Sequence, residues 1–85
     1  MVISQRTLSI KSSLQQKVVA DQLRKHRIKA DQSQEELANL AGIDRKTINR
    51  IENGHFSPTL DTITRLCIVL KITPSTLFSG RTVRR

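Results

Sequence analysis

Arg45, Lys46, Asn49 and Arg50 follow one another at spacings of one and three residues, and on a helix that spacing puts all four on one side. Arg and Lys can donate to guanine O6 and N7, and Asn can pair with adenine, in the major groove of a duplex. Ile48 and Ile51, between and after them, are apolar and would hold the other side of such a helix against a core. Taken alone, the same four residues can also be read as an ordinary solvated helix face.

The rest of the reactive inventory is sparse. Cys67 is the only cysteine, and His26 and His55 are the only histidines. One cysteine cannot form an internal disulfide, and these three residues do not make a structural zinc site, so neither metal nor cofactor is expected. Cys67 reads as a small buried apolar residue suited to a reducing cytoplasm. No Ser–His–acid or Cys–His arrangement is suggested, so no catalytic residue is expected and an enzyme is the least favoured class.

Charge narrows the partner. The 85 residues hold 15 Lys plus Arg against 7 Asp plus Glu, a formal net charge of +8. Such a domain attracts polyanions, and nucleic acid is the usual one. With two Phe and no Tyr or Trp, the chain has almost no aromatic platform on which to stack single-stranded or RNA bases. Double-stranded DNA is the expected partner. The length suits one small domain. No apolar run approaches the roughly 20 residues needed to span a bilayer, so no membrane association is expected. The opening MVISQRTLSIKSS lacks the basic-then-apolar order of a signal peptide.

Helices must place the basic residues, and their punctuation is visible. Residues 1–12 alternate weakly with β-branched members, which reads as a short strand or as an arm. Ser13 followed by Gln16 has capping-box spacing and opens a helix over about 14–29, with Leu14, Val18, Val19, Leu23 and Ala30 near one face. Ser33-Gln34-Glu35-Glu36 is a clearer capping box. It opens a second helix, with Leu37, Ala38 and Ala41 inward, which Gly42 ends. Asp44 is an N-cap candidate for a third helix over about 45–53, stopped by Asn53-Gly54. Thr59 can cap a fourth helix carrying Leu60, Ile63, Leu66, Cys67 and Leu70 inward. Thr73-Pro74 opens a short fifth with Leu77 and Phe78. The fold class is therefore all-α, with five helices and a possible N-terminal strand or arm. The chain divides into 1–12 (arm or strand), 13–79 (DNA-binding domain) and 80–85 (basic tail).

The stretches LRKHR at 23–27, SQEELANLAG at 33–42 and IDRKTINRIENGHFSPTLDT at 43–62 resemble the phage-repressor-like, or xenobiotic-response-element-type, helix-turn-helix regulators. The resemblance covers about 18–78. It implies base contacts from Arg45, Lys46, Asn49 and Arg50, and backbone contacts from Gln34, Thr47, Asn53, His55 and Arg27. It also implies that Gln34 buttresses the recognition helix and that Arg27 and Glu52 form a partly buried ion pair tying the first helix to the third. His26 is expected to be a partly buried structural residue. Two departures stand out. Asp31-Gln32 replaces a frequent Gly-Leu, which implies a longer or differently packed junction. Ile68 and Val69 widen the apolar surface of the fourth helix. With Phe78 they are expected to form a dimer interface.

The function this implies is a homodimeric transcriptional regulator, such as a repressor, on a palindromic operator. The N-terminal segment would pair across the dimer or touch DNA through Arg6 and Lys11. The alternatives are the antitoxin of a toxin–antitoxin pair, with a toxin protein as partner, and a restriction–modification controller protein. Neither the operator nor the sign of regulation is readable from the residues.

Overall fold

A short polar residue precedes four of the helices, and a left-handed residue ends four. The computed structural model describes residues 5–79, with side chains from residue 14 onward. In them lie α1 (Gln5–Lys29), α2 (Gln34–Ala41), α3 (Arg45–Glu52), α4 (Leu60–Leu70) and α5 (Pro74–Ser79).

α1 corrects the reading of the N-terminus. Residues 5–12, expected as a strand or arm, continue the helix, and Ser13, expected at its N-cap, lies inside it. An isolated strand has no partner for its backbone groups, and the described residues contain no other strand. A helix satisfies those groups within the segment itself. Residues 1–4 and the basic tail 80–85 lie outside the described residues, as do the side chains of Arg6 and Lys11.

Of the caps expected for α2 to α5, all but one are made. The Ser33 hydroxyl accepts from the Glu36 amide at 3.0 Å while the Ser33 amide donates to the Glu36 carboxylate at 2.8 Å. The Thr59 hydroxyl accepts from the Thr62 amide at 3.2 Å, and that of Thr73 from the Thr76 amide at 3.3 Å. Asp44 has the extended N-cap backbone, but its side chain makes no capping bond.

Four helices end in the same way, with paired amide-to-carbonyl bonds closing around a left-handed residue. Gly42 (φ 67°) and Gly54 (φ 72°) occupy that position after α2 and α3. Asp31 (φ 58°) and Lys71 (φ 57°) occupy it after α1 and α4. The bonds are Gln32 N–H to Arg27 C=O, Ile43 to Ala38, His55 to Arg50 and Ile72 to Cys67, at 2.9–3.2 Å. The junction expected to be longer or repacked thus keeps a compact turn. Asp31, whose short polar side chain tolerates this region, takes the place of a glycine.

The core is one cluster. It takes Val19 and Leu23 from α1, Leu37, Ala38 and Ala41 from α2, Ile48 and Ile51 from α3, Ile63, Leu66, Cys67 and Leu70 from α4, and Leu77 from α5. Burial raises the Cys67 thiol pKa. Three apolar expectations are corrected. Leu14 and Leu60, read as inward, are 58% and 79% exposed, and Ala30 lies exposed in the turn after α1. Leu60 is the first residue of α4, where the docking of the rest of the helix turns it outward.

Candidate nucleic-acid interface

Three residues, Gly42, Ile43 and Asp44, separate α2 from α3. The left-handed Gly42 reverses the chain, and Ile43 packs against the core beyond it. A Cβ at Gly42 would strain the left-handed backbone and approach Arg65 Nη1 to 3.1 Å. Arg65 also donates to the Ala41 carbonyl at 3.4 Å, placing a cation at the C-terminal end of α2, where the helix dipole favours it.

α3 lies on the core through Ile48 and Ile51, both fully buried. Its outer side carries Arg45, Lys46, Asn49 and Arg50, all exposed. These four side chains line one open concavity of about 330 Å³. The Arg50 guanidinium lies over the Phe56 ring, 5.9 Å from its centroid, a cation–π arrangement that limits where Arg50 can point. Thr47 is half-buried, and Asn53 and His55 are exposed at the end of the helix.

Behind this face, Arg27 Nε donates to Glu52 Oε2 at 2.7 Å, and its Nη2 to Oε1 at 3.0 Å. The Arg27 Nη1 holds the Gln32 carbonyl at 2.7 Å, so the departing turn after α1 is tied into the same pair. Side-chain exposure is 12% for Arg27 and 3% for Glu52. The hydrogen bond with Glu52 raises the Arg27 pKa against the effect of burial. The expected ion pair is present and joins α1 to α3. These bonds engage three of the five Arg27 N–H groups.

Gln34 also turns inward. Its Nε2 donates to Glu52 Oε1 at 3.1 Å, and its Oε1 accepts from Asn49 Nδ2 at 3.2 Å. Asn49 Oδ1 in turn accepts from Asn53 Nδ2 at 3.1 Å. The family resemblance implied that Gln34 buttresses α3, but not that the bonds form one chain reaching Asn49 and Asn53. Phe56, the rest for Arg50, was also missed. The i, i+4 spacing of Asn49 and Asn53 was the one available signal.

His26 is half-buried, as expected. Its pKa is lowered by burial, with smaller contributions from Lys25 and Lys29. On the outer side of α4 and α5, Ile68 is 71% and Phe78 44% exposed, whereas Val69 is half-buried and packs against the protein's own core. Among the described residues no helix is long and apolar enough to cross a membrane.

A capped helix, a three-residue turn and a second helix with a basic outer face, packed among three further helices, define a helix-turn-helix DNA-binding domain of the transcription-regulator type. The chain belongs to the HTH_3 helix-turn-helix family, which it matches over residues 23–77. Three solved structures show the same fold. The restriction-modification controller protein C.AhdI from Aeromonas hydrophila is 35% identical, with a TM-score of 0.71 over 74% of this chain and 96% of that one. An HTH_3 family transcriptional regulator from Vibrio cholerae is 26% identical, with a TM-score of 0.75 over 81% of this chain and 39% of that one. The hypothetical transcription factor NHTF from Neisseria is 28% identical, with a TM-score of 0.72 over 75% and 74%. No curated protein matches the sequence significantly.

Proposed function

We propose that this protein regulates transcription by reading a specific duplex sequence, as a homodimer on a palindromic operator. One observation carries the reading. Arg45, Lys46, Asn49 and Arg50 line a single exposed concavity on α3, a helix whose opposite side is fixed by fully buried Ile48 and Ile51. A rigid helix with long donors on its free side suits the major groove. Thr47, Asn53 and His55 contact the backbone at the edges of that face.

Dimerisation follows from the small number of base contacts that one such domain can make. Ile68 and Phe78 supply exposed apolar surface on α4 and α5, and Leu60, 79% exposed, adds to it. Two protomers related by a twofold axis would read half-sites roughly 34 Å apart. Selection of binding sites from random duplex DNA, repeated across salt concentrations, tests the claim, because phosphate attraction alone weakens equally for all sequences. An enriched inverted repeat supports it, and binding without sequence enrichment sinks it. Sedimentation as a monomer at high micromolar concentration would sink the dimer.

A narrower role as the controller of a restriction–modification system is favoured by the 35% identity to C.AhdI across 96% of that chain. A methylase or endonuclease reading frame beside this one, with the selected repeat upstream of it, would support that role. The repeat upstream of unrelated reading frames alone would remove it.

A further inference from the structure

A side-chain amide has no fixed polarity. Turning it by half a revolution exchanges donor and acceptor, so a free asparagine can offer a base edge either order. In this protein the choice is made at Glu52. A carboxylate only accepts hydrogen bonds, and Arg27 holds this one from its other side at 2.7 and 3.0 Å. Gln34 therefore has to turn its Nε2 to Glu52, at 3.1 Å, and its Oε1 outward. Facing that oxygen, Asn49 has to turn its Nδ2 inward, at 3.2 Å. Its Oδ1 then takes the Asn53 N–H, at 3.1 Å. The polarity of each amide is dictated by the one before it, starting from a nearly buried charge.

The Asn49 amide is left with one N–H and one oxygen lone pair on the exposed face of α3. Adenine alone presents a matching acceptor, N7, beside a matching donor, N6–H, in the major groove. Guanine presents two acceptors and would need the N–H already given to Gln34. We propose that Glu52 and Gln34 are positioning residues that fix the Asn49 amide in the polarity that reads adenine. The inference rests on the proposed major-groove role of α3 and adds the base and the residues that select it.

The test compares the wild-type protein with Asn49→Ala, Gln34→Met and Asn53→Ala by binding-site selection and by titration of the selected and scrambled duplexes. Gln34→Met keeps the length of the side chain and removes its hydrogen bonds. The expected result is that Asn49→Ala and Gln34→Met each relax preference at one and the same A·T pair, by about tenfold. Affinity for the scrambled duplex falls by less than affinity for the selected one. Asn53→Ala, at an exposed position that does not threaten folding, should relax that same pair about threefold, beyond an even loss on all duplexes from its backbone contact. A solely structural or phosphate-binding role for Gln34 would instead weaken all duplexes evenly, and that result overturns the proposal. Full adenine preference in Gln34→Met and Asn53→Ala overturns it as well, as does an Asn49→Ala variant that relaxes no position or one that is not A·T. A wild-type protein with no sequence preference fails earlier, at the DNA-reading function itself.

Discussion

α2 and α3 are each eight residues long and stand one turn apart in the same motif, but they are held in different ways. α2 is stabilised from within its own segment. It has a complete capping box, Glu35 and Glu36 in its first turn and Gly42 at its end. α3 begins at Asp44, whose side chain makes no capping bond, and has no acid in its first turn, where Arg45 and Lys46 stand instead. Cations at a helix N-terminus oppose the dipole. What holds α3 is remote: two isoleucines in the core, and Glu52 gripped by Arg27 of α1. The difference suits the proposed role of α3, whose free side would meet an anion. Acids in its first turn would favour the dipole but repel phosphate.

The largest expected effect tests the remote support. Glu52→Ala leaves the Arg27 guanidinium, 12% exposed, without its carboxylate. It should cost about 3–5 kcal/mol in denaturant unfolding. A loss as small as that of a single cap would break the contrast between the two helices. Next is the outer face of α3. Arg45→Ala should reduce discrimination between selected and scrambled duplex by about 1–3 kcal/mol. Lys46→Ala, if its ammonium meets phosphate, should weaken both duplexes alike and lower the salt slope by about 1. The two N-caps give a matched, smaller pair. Ser33→Ala should cost about 1 kcal/mol in thermal or denaturant melting, whereas Asp44→Ala, with no capping bond to lose, should stay within about 0.5 kcal/mol. Equal losses at the two positions would mean that α3 is capped after all.

The smallest effect is a pH dependence on the α1 side, next to Arg27. Because the folded state holds the His26 pKa below its ordinary 6.5, the unfolded chain binds that proton more readily. The contribution is fully present above the ordinary histidine value and is lost as pH falls through the lowered one. The Tm should therefore decline between about pH 7 and pH 5, and His26→Gln should flatten that part of the profile. An identical decline in the variant would assign it to other groups.

The legible parts of the fold follow a physical division. Ser33, Thr59 and Thr73 were readable as caps because each bonds an amide three residues away. Gly42 and Gly54 were readable as stops because glycine enters the left-handed region without a Cβ penalty. Asp31 and Lys71 close the same kind of turn, but Lys71 carries no such signal, and only the packing of the elements on either side places it there. The strand read at the N-terminus failed because alternation says which faces a strand would have, not whether a partner strand exists. Leu60 was misread because helical spacing gives a stripe but not the point at which a helix leaves the core.

By itself the sequence determined where α2 through α5 begin, where α2 and α3 end, which sides are largely apolar, and that Arg45, Lys46, Asn49 and Arg50 share one face of α3. Those properties depend on hydrogen bonds and periodicities within a few residues, so the local chain contains them. The tertiary structure alone decided how that face is wired. Glu52 meets Arg27 across 25 positions, Gln34 meets Glu52 across 18 and Asn49 meets Gln34 across 15. No local rule specifies those contacts, because they exist only at the angle at which α1, α2 and α3 dock around Leu23, Leu37, Ile48 and Ile51.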